Sequence, residues 1–595
     1  MGHEDFPADG RLPGRTYRIL FRKYHMFLFP SMLSIMALTV NEFVDGMIVA
    51  NLMGSRAMTA VSLGYPVLFL IATVYMLIGT GGGTLYAILL GEHKGDDAAK
   101  VCCLSLAATF LAGFLMMATG LLLEDELMPL LCPDEELMAA GFPSYYRALL
   151  ISAPVMATVL TLFGFLATSG APMLSTGIHI ASNAVNLLMD YVYIAHFGLG
   201  VAGAAWATVT GYLAGFAILL VPLCTGRTPI RVRRAGTSDL PLLREALGRG
   251  GAAAASQFGM ALKFAACNVL AVMYGGAGGA VAFSVCVQAI SFGSVFYAGA
   301  MGAANPLLSM LQGQRDLSGK HRLLRRSLLY GLALATPFAL WAIARPEDVA
   351  AIYKVTEPME LSLALAALPV VALSFWPRAF CVIFMYYLQI LGRNRYAMFV
   401  SLFDGVLGTV PLALLCCHLA GMNGLWWTFP IDSFLHLFII LGKNRLTALS
   451  SKGRYHGFLL RESDDAAETL DFTMTGEPEM ISRVSRQIAS RLAEAGLPEG
   501  QANRVGLAVE EMAVYNGIHQ KSSTPLDVLL RLYPDRAEID CRSAGEPCDP
   551  TEDGEADDLI NLRLLRELAS VMAYDYVLGL NSTHIVLRLK NENRY

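Results

Sequence analysis

Asp190 stands inside the apolar run from Met173 to Phe197, with Asn186 four residues before it and the turn Phe197-Gly198-Leu199-Gly200 after it. Residues at that spacing share one helix face. A carboxylate at the centre of a bilayer-spanning helix costs roughly 2.5 to 3.5 kcal/mol on insertion scales, and such groups usually mark an ion path or a substrate site. Asp45 lies in the first apolar run, and Glu42 precedes it by one turn, placed either to join the site or to face an aqueous vestibule. Two carboxylates forced together hold a hard cation through oxygen ligands, or share a proton because like charges in a dry site raise one apparent pKa. Either occupant is driven inward by the membrane potential, worth about 2.3 kcal/mol per charge per 100 mV. The competing reading is structural, with Asp45 and Asp190 only cross-linking helices through hydrogen bonds.

The elements that must position these groups are apolar helices. With 55% hydrophobic and 16% charged residues over 595 positions, the chain is far more apolar than a soluble protein with about 25% charge. Twelve apolar runs, the first at 26–51 and the last at 424–442, each approach the roughly 20 residues needed to cross a bilayer. The basic segments (Arg11 to Lys23, Arg227 to Arg234, Arg315 to Arg326) fall on one side and the acidic loop from Glu124 to Glu136 on the other. The positive-inside rule then places both termini in the cytoplasm. No cleavable signal is evident, because the polar N-terminal arm leads into a long apolar run without a small-residue cleavage pattern. The eleven cysteines sit mostly inside apolar runs and read as small core residues without disulfide or metal spacing.

A repeat divides the membrane part in two. Gly91 matches Gly313 and Gly170 matches Gly392, each at a separation of 222 residues, while Gly200-x-x-Gly203-x-x-Trp206 returns as Gly421-x-x-Gly424-x-x-Trp427 at 221. Repeated bundles commonly build transporters with a site at the interface between the two. In that register Asp45 falls near Cys267, Asn186 near Leu407 and Asp190 near Pro411, so the polar set is expected in the first lobe only.

Three stretches, Pro30…Asp45, Gly79-Thr-Gly-Gly-Gly83…Gly91 and Asp190-Tyr-Val-Tyr-Ile-Ala-His-Phe-Gly-Leu-Gly-Val-Ala-Gly-Ala-Ala-Trp-Ala-Thr208, resemble multidrug and toxic compound extrusion (MATE) transporters over roughly residues 15 to 445. The resemblance implies export of organic cations, drugs or other amphipathic small molecules in exchange for sodium or protons. It also implies a cation site in the first lobe at Asp45, Asn186, Asp190 and Thr208. An all-oxygen set of this kind suits a hard cation.

The second lobe differs, with Lys263, Arg378, Asp404 and Asp432 within or near apolar runs. Buried charges tend to pair into a neutral cluster, and the sharper reading gives them a role in orienting substrate. A free Lys263 or Arg378 would argue against a purely cationic cargo.

After Lys443 the composition shifts. Residues 446–468 read as a polar linker, and 469–595 as a soluble domain of strand 469–474, helices 478–495 and 500–519, strands near 526–533 and 536–542, helix 558–572 and strands 573–578 and 583–590. Helices then cover one face of a mixed sheet. Leu507-Ala-Val-Glu-Glu-Met512…His519, Gly545-Glu-Pro-Cys-Asp-Pro550 and Leu562 to Ala569 resemble the histidine-kinase-like ATPase fold of anti-sigma-factor kinases. With Glu511 as that family's helix glutamate, its metal-binding asparagine position holds Tyr515. Asn516 is displaced by one residue, about 100° round the helix, and the adenine-reading aspartate two before Gly545 is Ser543. Nucleotide and magnesium affinity should fall accordingly, leaving a degenerate regulatory module.

The expected architecture is thus a mainly α polytopic membrane protein. It comprises a basic arm (1–25), a six-helix N-lobe (26–225), an inter-lobe loop (226–248), a six-helix C-lobe (249–445), the linker and an α/β sandwich tail. The leading reading is a cation-coupled antiporter, not an enzyme, in a bacterial cytoplasmic membrane. It requires no cofactor beyond its coupling ion, takes a small-molecule substrate and no nucleic acid, works as a monomer, and leaves its tail free for a cytoplasmic protein partner. Two alternatives stand beside it: a lipid-linked or polymer flippase of the same superfamily, and a membrane-bound signalling protein acting through its tail.

Overall fold

The computed structural model describes residues 12–53, 61, 64–131, 141–353, 355, 357–520, 523–552 and 560–589. Its membrane part is helical: α1 (Arg18–Met53), α2 (Tyr65–Tyr75), α3 (Gly81–Gly91), α4 (Gly95–Leu122), α5 (Glu124–Leu131), α6 (Phe142–Thr168), α7 (Pro172–Tyr191), α8 (Val201–Cys224), α9 (Leu240–Gly313), α10 (Leu317–Ala344), α11 (Pro346–Ile352), α12 (Pro358–Ala372), α13 (Phe375–Ile390), α14 (Asn394–Leu402) and α15 (Thr409–Ser450). Helix is the solution open to an apolar run in lipid, because it satisfies every backbone group within the segment. Among the described residues, eight helices are long and apolar enough to span a bilayer, or nine if the bent pair Pro358–Ala372 and Phe375–Ile390 counts as one span. The sequence expectation is twelve. The 57-residue stretch Asn394–Ser450 enters that number once, although Gly421 breaks it with φ 59° and ψ −137°. Gly200, its partner in the repeat, starts α8 with φ 62° and ψ −147°, a backbone region open essentially to glycine. The repeat glycines at 200 and 421 are therefore hinges of the chain path.

The other repeat glycines meet each other. A Cβ on Gly91 would lie 2.2 Å from the Met310 carbonyl oxygen, and one on Gly313 would lie 2.1 Å from that of Ile88. Neither position admits a side chain. The same exchange recurs deeper, where Gly299 of α9 would meet Met32 of α1 and Gly250 would meet the Leu77 carbonyl oxygen; Leu77 and Gly299 are again 222 apart.

The tail holds a hairpin, β1 (Tyr455–His456) and β2 (Arg461–Glu462), then β3 (Glu468–Met474), α16 (Pro478–Glu494), α17 (Glu499–His519), β4 (Leu526–Leu532), β5 (Arg536–Ala544), α18 (Ile560–Leu568), β6 (Val571–Val577) and β7 (Leu580–Arg588). The sheet order is β3-β4-β5-β7-β6, and all four pairings are antiparallel, which corrects the mixed sheet expected. The pair α16–α17 returns the chain beside β3, and β6–β7 close as a hairpin, so no parallel neighbours arise. The polar linker is also corrected. α15 runs on to Ser450, and the hairpin that follows buries Tyr455 and Leu460 in the same core cluster as membrane-helix residues such as Tyr387 and Ile440.

One sheet face packs Phe472, Val528, Leu530, Ile539 and Ile585 against Val484, Ile488 and Val505 of the helices. The opposite face carries Asp471, Thr473, Asp527, Asp540 and Arg542, where alternation alone would place solvent. Instead β4 is buried along its whole length. The membrane part covers this face. Arg15 of the N-terminal arm pairs with Asp316 at 2.9 Å, Asp471 at 3.0 Å and Asp527 at 3.4 Å, and Arg542 also pairs with Asp316. Tyr17 and Ser318 both donate to Asp471, at 2.8 and 2.6 Å, and Gln314 donates to Ser582 at 2.9 Å. Arg231 and His93 hold Asp575 at 3.1 and 3.4 Å, while Lys320 pairs with Glu462. The three basic segments thus lie at the end of the bundle where the tail sits. Glu124, at the start of the acidic loop, pairs with Arg147 at 2.8 Å; Asp134 to Glu136 lie outside the described residues.

Candidate functional site: two buried polar clusters in the helices

The first cluster is organised by Asn186. Its side-chain oxygen accepts from the Asn41 amide at 2.9 Å, and its amide donates to Asp190 Oδ2 at 3.4 Å and to Thr208 Oγ1 at 3.5 Å. Thr208 in turn donates to the Ala204 carbonyl at 3.1 Å. Asp190 is fully buried and Asn186 nearly so, and the Asp45 carboxyl comes within hydrogen-bonding reach of Asp190. The structure therefore gathers Asp45, Asn186, Asp190 and Thr208. It adds Asn41, which sequence reasoning passed over because an asparagine in a helix carries no charge to flag it, although it stands one turn before Asp45. Glu42 lies outside the residues whose side chains are described.

Helix packing sets this geometry. A Cβ on Gly211 of α8 would lie 2.8 Å from both Asn186 Cβ and the Ser182 carbonyl oxygen, and Ser182 donates to the Gly211 carbonyl at 2.7 Å. That close approach brings Thr208, one turn earlier on α8, to the Asn186 face. Just past Asp190 the helix widens into a π-type turn over Val192–His196, a deviation found mostly at functional sites. Asn41 Oδ1, Asp45 Oδ1 and Asp190 Oδ1 are buried without a hydrogen-bond partner. Unpartnered buried oxygens converging from two helices suit a hard cation or a shared proton. Among the described residues no cluster of His, Cys, Asp and Glu has the makeup of a metal site, so a softer metal has no ligands here.

The second cluster centres on Asp404, itself inside a π-type turn, Phe403–Leu407. Lys263 Nζ donates to the Asp404 carbonyl at 3.1 Å and lies 3.4 Å from its carboxylate, which also takes Arg378 at 3.2 Å. The Thr409 hydroxyl lies 2.7 Å from the Asp404 carbonyl and 2.8 Å from Asp432 Oδ2, two acceptors for its single proton. Asp432 Oδ1 and His436 Nε2 stay without partners. Beside them is a cavity of about 20 Å³ lined by Arg378, Asp404, Ser433 and His436, room for a water or two. This is the pairing of buried charges expected for the second half, set apart from the Asp45, Asn186, Asp190 and Thr208 group of the first. Lys263 stands 222 positions after Asn41, Asp404 222 after Ser182, and Asp432 221 after Gly211. The repeat conserves the place and changes the charge, and Lys263 and Arg378 are both spent on Asp404.

In the tail, Glu511, Tyr515, Asn516 and Ser543 are buried. The Tyr515 ring packs at a tilt on that of His519, with centroids 4.3 Å apart, and Glu511 Oε2 and Asn516 Nδ2 have no hydrogen-bond partner. Ser543 faces Leu526 and Asn581 in the sheet register. The side chain of Gln520 crowds Gly545, 1.9 Å from where its Cβ would be, and donates to the Glu546 carbonyl at 2.8 Å.

Known proteins bear on the helical part. A family model described as MatE matches residues 30–192 and 252–415, two segments whose starts are 222 residues apart, the separation of the repeat glycines. The tail lies beyond that match. The "Probable multidrug resistance protein YoeA" of Bacillus subtilis (strain 168) is 28% identical over 232 residues, 38% of this chain and 50% of that protein. The "Multidrug export protein MepA" of Staphylococcus aureus (strain MRSA252) is 22% identical over 441 residues, 73% of this chain and 96% of that protein. A solved structure titled as the outward-facing conformation of a multidrug resistance MATE family transporter of the MOP superfamily superposes with a TM-score of 0.65 at 21% identity, covering 72% of this chain and 96% of that one. A double family match over both halves of the repeat, on a multi-pass helical fold shared with solved members, means that this chain belongs to the MatE family of membrane transporters.

Proposed function

We propose that the protein is a cation-coupled antiporter that exports organic cations, drugs or other amphipathic small molecules, with a tail that regulates it. The observation that carries this reading is the buried Asp190, joined to Asn186 and set beside Asp45 with unpartnered oxygens around it. An occupant there, sodium or a proton, neutralises the pair. Its release restores a charged site and so ties cation movement to a change of helix packing. The printed names of the relatives, multidrug resistance and multidrug export proteins, support the cargo class.

The scaffold for this activity is twelve spans in two six-helix lobes. α1, α7 and the division of Asn394–Ser450 into two arms at Gly421 add three spans to the nine that length and apolarity identify. The cluster of Lys263 and Arg378 with Asp404 and Asp432, two charges of each sign, favours cationic or uncharged cargo over a lipid-linked polyanion. Regulation by the tail is supported by its docking on both halves, through His93 of the first and Asp316 and Lys320 of the second, and on Arg231 of the loop between them. A domain that holds both halves at one end biases alternating access. We place that end in the cytoplasm, from the basic segments gathered there, and take the working unit to be a monomer in a bacterial cytoplasmic membrane. The test is efflux from proteoliposomes carrying cationic or anionic dyes under imposed sodium or pH gradients. Cationic dye export driven by one gradient supports the reading; export of neither dye under either gradient contradicts it.

A further inference from the structure

Between the N-terminal arm, the first turns of α1, the start of α10 and one end of the tail sheet lies an open cleft of about 1380 Å³. That exceeds the roughly 300 to 1,000 Å³ of ordinary small-molecule sites. Arg18, Arg22, Lys23, His25 and Arg326 line it, and among the described residues no lining residue is a carboxylate. This differs from the adjoining interface, where each arginine faces an aspartate. Among the described residues Arg22, Lys23 and Arg326 have no ion-pair partner, and Arg326 is held in place over the Phe21 ring at 4.0 Å. The β6–β7 turn reaches the same cations, with Lys23 Nζ 2.5 Å from where a Cβ of Gly579 would be. Across the cleft Ser523 and Thr524 offer hydroxyls. Met26, which lines the cleft, and Phe29 are exposed on α1, where the apolar run begins. Burial and the neighbouring Arg22 lower the affinity of the Lys23 ammonium for its proton, a penalty that a bound anion would relieve.

We infer that this cleft binds a phosphate-bearing anion, a lipid headgroup or a soluble polyphosphate, which bridges the membrane helices to the docked tail. The inference rests on the docked tail proposed above. Cations clustered at a bilayer surface without counter-charges are how proteins recognise phosphate groups there, and the serine and threonine opposite supply neutral donors. A ligand so placed would strengthen the hold of the tail on the bundle.

The experiment uses the full chain in nanodiscs and reads its thermal midpoint in two arms: neutral lipid with added pyrophosphate, and neutral lipid mixed with phosphatidylglycerol. The unsubstituted chain should be stabilised in at least one arm, and the arm that responds identifies the source. The Arg22→Gln/Lys23→Gln protein should lose affinity by about fivefold per cation removed. A control with the same charge loss elsewhere, Arg227→Gln/Arg234→Gln, should respond as the unsubstituted chain does. Should the double variant not fold, Arg22→Gln alone, whose side chain is exposed, serves the same purpose. Equal responses from the cleft variant and the unsubstituted chain overturn the inference, as does an equal loss in the control. Tail docking is scored separately by hydrogen exchange at β4, so a missing ligand is distinguishable from a missing interface.

Discussion

Asn41 and Lys263 stand 222 residues apart, and each reaches a buried polar group of its own half of the repeat. Asn41 donates to Asn186 at 2.9 Å and Lys263 to the Asp404 carbonyl at 3.1 Å. One position thus carries an amide where two carboxyls are left without a cation and an ammonium where a carboxylate is neutralised. Among the described residues the first half sets no basic side chain beside its carboxyls, and the second sets two beside Asp404.

That pairing predicts a cost of removal. Lys263→Met leaves Asp404 with Arg378 alone in a buried site, and breaking such a pair costs on the order of 3 kcal/mol. The thermal midpoint in detergent should fall clearly. The same measurement on Asn41→Ala should show a smaller loss, near the 1 kcal/mol or so of one hydrogen bond, while cation dependence of transport weakens.

The ion cluster under the tail predicts release on substitution. Burial alone would push the Asp316 carboxyl up, but the Arg15 and Arg542 guanidiniums outweigh it and hold the group well below the usual carboxylate range. A carboxylate depressed in the folded state adds stability that is present above its unfolded pKa near 3.9 and is lost only as pH falls through the lower folded value. The dock therefore survives mild acid. Arg15→Met should free β4 amides for hydrogen exchange by at least tenfold, without changing the helical content of the bundle.

His584 works in the opposite direction. Burial would lower its pKa, yet the 2.7 Å hydrogen bond to Asp540 and that residue's charge raise it above 6.5. A raised histidine contributes stability that is full below the unfolded pKa and is lost as pH rises through the folded value. Its ring stacks on His93 of the bundle at 5.7 Å. The tail sheet should lose stability as pH rises from 6.5 through the folded pKa, and His584→Gln should flatten that dependence in hydrogen exchange at β5 and β7.

Packing predicts a conformational effect at the repeat glycines. Gly91→Val would drive a side chain into the Met310 carbonyl, with an overpacking cost of about 1 to 3 kcal/mol. The two halves should separate at the tail end. Spin labels on α3 and α10 should report a longer distance, with slowed dye efflux.

Much of this was legible in the residues. The repeat glycines, the aspartate one turn after Asn186, and the strand and helix order of the tail follow from spacing and hydrophobic period. The linker hairpin was not, because two-residue strands carry no periodic signal. Nor was the buried polar sheet face: Asp471, Asp527 and Arg542 alternate with apolar residues as a solvated face would, and only their partners Arg15 and Asp316, hundreds of residues away, explain them. The Asp404 cluster was visible as four charges that should pair, but not which cation meets which carboxylate, since that depends on which helices meet.

The central claim concerns Asp190, and the direct measurement is cation-driven dye efflux by Asp190→Asn in proteoliposomes. The substitution keeps the shape and the hydrogen bonding with Asn186 while removing the charge. Efflux driven by a sodium or proton gradient should fall to background, with the thermal midpoint within a few degrees of the unsubstituted protein. Undiminished gradient-driven efflux from the correctly folded variant would contradict the account.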